Sequence, residues 1–273
     1  MTTLFDKPVL LKDAIEESRF GGKCVSLGVA LRADLPVPRG YALAVDLVNA
    51  LAHEDELAIA TVLGLFAELA PAAAVRSSAV GEDSVDASFA GQHLSVLNVM
   101  DAESMITAIQ QVHASAFTAE AIAYRAKMGV EGEPAIAVVI QQQILSEVAG
   151  VMFTKNPITH ANERYIEASW GLGEAVVAGM VVPDSFRISS QGSILAKVLG
   201  DKDVELIAVA QGQTREQEVD QARQNSFCLS EDQLDRLHSL ALNCEAIYGE
   251  DIDIEWAFHD GQLYLLQCRS ITM

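Results

Sequence analysis

Positive charge is what this 273-residue chain has least of. Eighteen Lys and Arg stand against 38 Asp and Glu, a formal net charge of −20. Nucleic-acid binding rests on clustered cations that displace counterions from phosphates. The balance therefore argues against it and points to a solvated acidic surface. Cysteine is sparse too. Cys24, Cys228, Cys244 and Cys268 are scattered, with no Cys-x-x-Cys pair. That argues against a zinc site or a disulfide framework and fits reduced thiols in a cytoplasmic protein. The opening MTTLFDKPVLL lacks a cationic start followed by an apolar run, so no secretory signal is read. The apolar stretch at residues 58–75 contains Glu68 and Pro71. It reads as a buried helix followed by a strand rather than a membrane span. No repeat or low-complexity tract is visible.

What is present is a globular composition, 50% hydrophobic, in a chain long enough to bury a large core. The most informative segment is residues 75–99, VRSSAVGEDSVDASFAGQHLSVLNV. A strand-like start delivers Arg76 to the mouth of a loop rich in Ser, Ala, Gly and Asp, and a second strand-like run follows. Small side chains let backbone N–H groups approach a ligand closely and cradle phosphate. An arginine beside such a loop, in so acidic a chain, suggests an anion site.

The remaining pattern divides the chain. Residues 11–20 look helical and stop at Gly21-Gly22, and Ser26 is placed to cap the next helix, leaving Lys23 in the turn before it. Residues 41–45 read as a short strand and residues 46–69 as helical. Asp101 is a plausible N-cap for one long helix to about Lys127. Glu131-Gly132-Glu133-Pro134 reads as a hinge. Strand patterns follow at residues 135–143, 149–154, 165–169, 184–189 and 194–199. Residues 201–225 read as loop and helix. Ser230-Glu231-Asp232-Gln233 is a capping box opening a helix to Tyr248, and a hairpin spans residues 253–269. An α-rich lobe at residues 1–130 and a β-rich lobe at residues 131–273 make an α+β, two-lobed protein.

Several blocks in order resemble the nucleotide-binding domain of the phosphoenolpyruvate synthase, pyruvate phosphate dikinase and rifampicin phosphotransferase family. They are Gly21-Gly22-Lys23 with Ser26-Leu27-Gly28 and Pro36-Val37-Pro38-Arg39-Gly40; the VRSSA segment at Arg76; Ala149-Gly150-Val151-Met152-Phe153-Thr154 with Asn156-Pro157; Glu167-Ala168-Ser169-Trp170-Gly171-Leu172-Gly173-Glu174 running to Gly179 and Asp184; and Asp253-Ile254-Glu255-Trp256 with Leu266-Gln267-Cys268-Arg269. Each block alone is a weak signal, but together they cover nearly the whole chain. The resemblance implies an ATP-grasp architecture, with ATP and Mg²⁺ held between the lobes.

The terminal hairpin allows a physical test. Strand alternation puts Asp253 and Glu255 on one face, and Leu263, Leu265, Gln267 and Arg269 together on a face of the second strand. A two-residue Asp260-Gly261 turn would pair Ile254 with Gln267 and separate Glu255 from Gln267. A three-residue loop, His259-Asp260-Gly261, would pair Asp253 with Gln267 and collect Asp253, Glu255, Gln267 and Arg269 on one polar face. The Asp-Gly pair by itself favours the shorter turn. The three-residue loop is the expectation here because the family uses the glutamate, glutamine and arginine of this motif together. Magnesium prefers hard oxygen ligands, few of them from protein. Glu255 and Gln267 can supply them, and Arg269 can neutralise charge on a phosphate in transfer.

The resemblance extends to other positions. Lys23 matches the family's nucleotide lysine and Arg76 its VRSSA arginine. Gly91 and Ser95 fall near the phosphates. Gln141 falls on the strand edge beside adenine, where Gln143 stands in place of the family's methionine. Lys23, Arg76 and Arg269 are thus the expected catalytic cations. The implied reaction passes phosphate from MgATP to a histidine, with AMP formed. No glycine-flanked histidine resembling the family's phosphohistidine segment is found here. That histidine is expected on a swivelling domain in trans or on a missing domain, with neither nucleic acid nor membrane as partner. The competing readings are a non-catalytic nucleotide-binding regulator and an ATP-grasp ligase that makes an acylphosphate.

Overall fold

The computed structural model describes residues 5–81, 94–127 and 132–270. Two antiparallel sheets carry the architecture. The first contains β1 (Val9–Leu10), β2 (Gly40–Leu43), β3 (Ala73–Ala79), β4 (Ser95–Val99) and β5 (Ile136–Gln142), ordered β1-β2-β5-β3-β4. The second contains β6 (Val148–Phe153), β7 (Glu163–Trp170), β8 (Asp184–Ser189) and β9 (Ile194–Val198). A separate hairpin, β10 (Val204–Ala208) and β11 (Thr214–Glu218), follows. The chain returns to the second sheet through β12 (Ile252–His259) and β13 (Gln262–Ser270), giving the order β13-β12-β6-β7-β8-β9.

Alternation along these strands decides what each face does. Ala73, Val75, Val138 and Ile140 point from the first sheet into a core closed by α2 (Val45–Ala52), α3 (Glu56–Leu63) and the helix Ala102–Ser115. Met152, Ile166, Ile254, Trp256 and Phe258 point from the second sheet onto a long helix, Glu231–Tyr248, through its Leu234, Leu237 and Ala241. The helix Glu17–Arg32, α1, joins this second core through Phe20, Cys24 and Leu27. The opposite faces of both sheets are left for a cleft. No helix among the described residues is long and apolar enough to cross a membrane.

The two-lobed α+β arrangement is as expected, and so is the capping box. Ser230 Oγ accepts from the Gln233 N–H, and the Gln233 side chain returns to the Ser230 N–H. Several local expectations change. The division at residue 130 placed Ile136–Gln142 in the second lobe, whereas this strand lies at the centre of the first sheet, between β2 and β3. The long helix from Asp101 does start there, with the Asp101 side chain accepting from Ser104 N–H. It is interrupted after Ser115, and Thr118 Oγ1 accepts from Ala121 N–H to open a second helix, Ala119–Lys127. Residues 201–225 include the β10–β11 hairpin, whose outer strand Thr-Arg-Glu-Gln-Glu is polar throughout and hides any alternation.

Residues 11–20 do not form one helix that stops at the glycines. A short 3-10 turn at Leu11–Asp13 precedes α1, which runs through the paired glycines with a kink at Gly21 (φ 71°, ψ 167°). The kink exposes backbone groups that a straight helix would pair. Ser26 does not cap the restarted helix, since its hydroxyl donates to the Cys268 carbonyl. The cap comes from the neighbouring strand: Ser78 Oγ accepts from Cys24 N–H (3.0 Å) and donates to the Phe20 carbonyl (2.7 Å). Glycine is required at the kink, because a Cβ on Gly21 would lie 2.0 Å from the Ser78 carbonyl oxygen. Lys23 thereby sits in the first turn after the kink.

Candidate functional site

A cleft of about 520 Å³ opens between the free faces of the two sheets. Ala74, Arg76 and Gln141 line it from the first sheet, Val151, Glu167, Glu255 and Gln267 from the second, and Lys23 from α1. Of the candidate site residues, Lys23, Arg76, Ser95, Gln141, Glu255, Gln267 and Arg269 all lie on its wall. Gly91 and most of the small-residue loop lie outside the described residues.

The terminal hairpin reaches the expected polar face by a different route. Its turn has two residues, not three: His259 pairs with Gln262, and Asp260 (φ 47°) and Gly261 (φ 69°) both take positive φ. That is the geometry an Asp-Gly hairpin turn favours. A bulge then shifts the register between Glu255 and Trp256, so that Trp256 faces Leu265 and Glu255 faces Gln267, with Leu266 as the extra residue. Leu263, Leu265, Gln267 and Arg269 do not share a face. The bulge sends Leu265 into the core and turns Gln267 and Arg269 to the cleft. An unbroken alternation would have forced leucines and polar side chains onto one surface.

Arg76 crosses the cleft to this hairpin. Its Nη1 donates to the Leu266 carbonyl (2.8 Å), so the bulged residue supplies the acceptor. Its Nη2 donates to Glu255 Oε2 (2.5 Å) and to Gln267 Oε1 (3.2 Å). A carboxylate oxygen and an amide oxygen thus converge on one cationic nitrogen. Both are hard donors, so this pair fits a magnesium ion. Beside them, Arg269 donates twice to Asp253 Oδ2, at 2.9 and 2.8 Å. The buried Asp253 Oδ1 has no hydrogen-bond partner among the described residues. Burial pushes the Asp253 carboxyl up from its usual range, Arg269 pulls it back, and Glu255 adds to the rise. Glu174 is an exposed residue that also lines the cleft. Desolvation raises its pKa, Arg76 opposes the rise and Glu255 adds to it.

Lys23 is 8% exposed and meets the cleft from the kink in α1. Ser78 two residues after Arg76 on β3 holds that kink, so one short motif supplies both a cleft cation and the cap that places another. Gln141 is buried and its Nε2 donates to the Pro38 carbonyl (3.2 Å). Gln143 is tied to backbone at both ends of its amide: Oε1 accepts from Asn98 N–H (3.2 Å) and Nε2 donates to the Ile144 carbonyl (3.0 Å). Asp184, a residue of the family-like blocks, is fully buried in an ion pair with Lys202 and does not line the cleft. Sequence reasoning missed Asn98 and left Glu167 without a role. The Tyr165/Glu167/Ser169 alternation carried a signal for Glu167, and none marked Asn98.

The family model of the pyruvate phosphate dikinase AMP/ATP-binding domain matches residues 58–273, and the chain belongs to that family. A probable phosphoenolpyruvate synthase of Methanocaldococcus jannaschii is 41% identical over 202 residues, which are 73% of this chain and 17% of that protein. An uncharacterized phosphotransferase of Bacillus subtilis, YvkC, is 33% identical over 97% of this chain and 35% of its own length. A rifampicin phosphotransferase of Streptomyces sviceus is 38% identical over 73% of this chain and 23% of its own. The chain therefore spans well under half the length of each of these relatives.

Proposed function

We propose that the cleft holds ATP as its magnesium complex, in the manner of an ATP-grasp enzyme, and that a histidine on a separate swivelling domain attacks the β-phosphate, taking the β,γ-diphosphoryl group and leaving AMP, after which the γ-phosphoryl passes to water or inorganic phosphate. That domain would be supplied by a partner chain or by a missing part of the protein. The observation that carries this reading is the convergence of Glu255 Oε2 and Gln267 Oε1 on one cationic nitrogen at the cleft wall.

In this reading Glu255 and Gln267 hold the metal, which when bound neutralises phosphate charge. Lys23, Arg76 and Arg269 line the same cleft and stabilise charge spreading over a transferring phosphoryl group. Arg76 Nη1 stays anchored on Leu266, and Nη2 is the nitrogen for which a phosphate oxygen would compete. Ser95, opposite Arg76 in the β3–β4 pair, presents its hydroxyl beside the phosphates, and Gly91, outside the described residues, is assigned to the phosphates by the family resemblance alone. Gln141 lies further along, towards the base.

The test is product analysis with MgATP, with and without a histidine-bearing domain from a full-length relative. AMP that appears only with the partner supports the proposal. ADP as sole product rules it out and favours acylphosphate chemistry. Tight ATP binding with no turnover alongside any partner favours a regulatory role.

A further inference from the structure

The cleft has two chemically different ends. At one, Arg76 contacts Glu255 and Gln267, and Arg269 lies on the neighbouring Asp253. Val139 lies opposite Arg76 in the β3–β5 pair, and Gln143 is four residues further along the chain. At a strand's rise that is roughly 13 Å from the charged end. Gln143 N–H continues the ladder by donating to the Ala72 carbonyl (2.9 Å), and Ile144, Ser146 and Leu172 line the cleft near it. Phosphates belong at the cationic end. On the reading that the cleft holds a nucleoside triphosphate, the base then lies away from Arg76, beside the Gln143 amide.

The direction of that amide is set by the fold. Asn98 N–H is a donor, so the atom of Gln143 facing it must be the oxygen. Asn98 is itself held firmly. It is 3% exposed and takes a positive φ of 55°. Its Nδ2 donates to the Val209 and Gln213 carbonyls, at 2.8 and 2.5 Å, and its carbonyl accepts from Gln213 N–H (3.2 Å). The tip of the β10–β11 hairpin thus fixes Asn98, and Asn98 fixes Gln143. The nitrogen is left on the other side, making one hydrogen bond among the described residues, to the Ile144 carbonyl. An NH₂ group carries two donors.

We propose that Gln143 is a specificity-determining residue that presents a donor to the base, with Asn98 as its positioning residue. A donor meets an acceptor on either purine: N7 occurs on both, and O6 on guanine. It offers nothing to the exocyclic amino group that distinguishes adenine. The site should therefore accept GTP as well as ATP.

The experiment is titration of the protein with MgATP and MgGTP, for wild type and Gln143→Glu. The substitution keeps an oxygen for Asn98 N–H and replaces the donor, together with its bond to the Ile144 carbonyl, by an acceptor. Wild-type dissociation constants within about tenfold of each other are expected. In the variant the preference should move towards ATP by about tenfold, the size of one hydrogen bond gained or lost. Any general effect of the added charge on the triphosphate cancels in the ratio. A wild type that prefers ATP by more than about a hundredfold overturns the inference, independently of how the variant folds. So does a folded variant with an unchanged ratio. A wild type that binds neither nucleotide instead overturns the nucleotide reading of the cleft on which this inference rests.

Discussion

Lys202 and Asp184 form an ion pair with both side chains at 0% exposure, and their separation offers the sharpest energetic test of the fold. Lys202 Nζ lies 2.5 Å from Asp184 Oδ1 and also donates to the Gly200 (3.0 Å) and Gln224 (3.3 Å) carbonyls. Asp184 accepts in addition from Gly200 N–H (2.9 Å) and Cys228 N–H (2.7 Å). The pair therefore ties together the start of β8, the loop at residues 200–202 and the segment at residues 224–228. Replacing Lys202 by Met keeps the volume but strands a buried carboxylate. Breaking such a pair costs about 3–5 kcal/mol. The two backbone N–H groups that remain on Asp184 put the expected loss near the lower end, about 3 kcal/mol. For a chain of this size that is a fall in Tm of roughly 6–12 °C. Urea unfolding at neutral pH should show the loss as a lower midpoint with unchanged slope. The double variant Asp184→Asn with Lys202→Met, which removes both charges, should cost clearly less than the sum of the single changes. A Lys202→Met loss below about 1 kcal/mol, or strict additivity in the double variant, would refute the argument. Nucleotide affinity of the folded variant should stay near wild type, because neither residue lines the cleft.

Two further outcomes concern the cleft. Glu255→Gln removes the carboxylate that Arg76 contacts and leaves an amide donor set. ATP affinity measured with and without magnesium should lose most of its metal dependence, whereas an unchanged magnesium effect would place the metal elsewhere. Glu174 has a folded pKa above its usual value because the cleft desolvates its charge. Such a carboxylate costs stability at pH values above its unfolded pKa of about 4.3, and the cost fades as pH falls through the raised value. Glu174→Gln should therefore raise Tm at pH 7–8, with the gain shrinking on acidification and gone below about pH 4. A gain of constant size across that range would assign the effect to packing rather than ionisation.

Much of the site was legible because its parts are local. The VRSSA segment reads as a strand carrying one arginine, and alternation places Arg76 on the face opposite the Val75 core. The hairpin reads as a hairpin from its Asp-Gly turn and flanking strands. Its polar face was reached through the wrong device. A three-residue loop and a bulge at Leu266 both put Glu255 and Gln267 on one face, and the pattern of residues 253–269 does not distinguish them. The energetic difference lies in the core, where Leu265 must pack against Trp256. The paired glycines at residues 21 and 22 signalled a break, yet the helix resumes through them, because Cys24 N–H is capped by Ser78, a serine 54 residues further along the chain.

By itself the amino-acid order determined the acidic balance, the strand and helix periodicities, the capping box at Ser230 and the set of residues that can meet a phosphate or a metal. These follow from side-chain chemistry and from spacing within one element. Only the tertiary structure decided that β5 enters the middle of the first sheet, that Ser78 caps the broken α1, that Asp184 is a buried counter-ion, and that Asn98 orients the Gln143 amide. Each of these depends on groups distant in sequence that become neighbours when the sheets pair. The need to satisfy buried donors, acceptors and charges then selects one arrangement among those that local patterning leaves open.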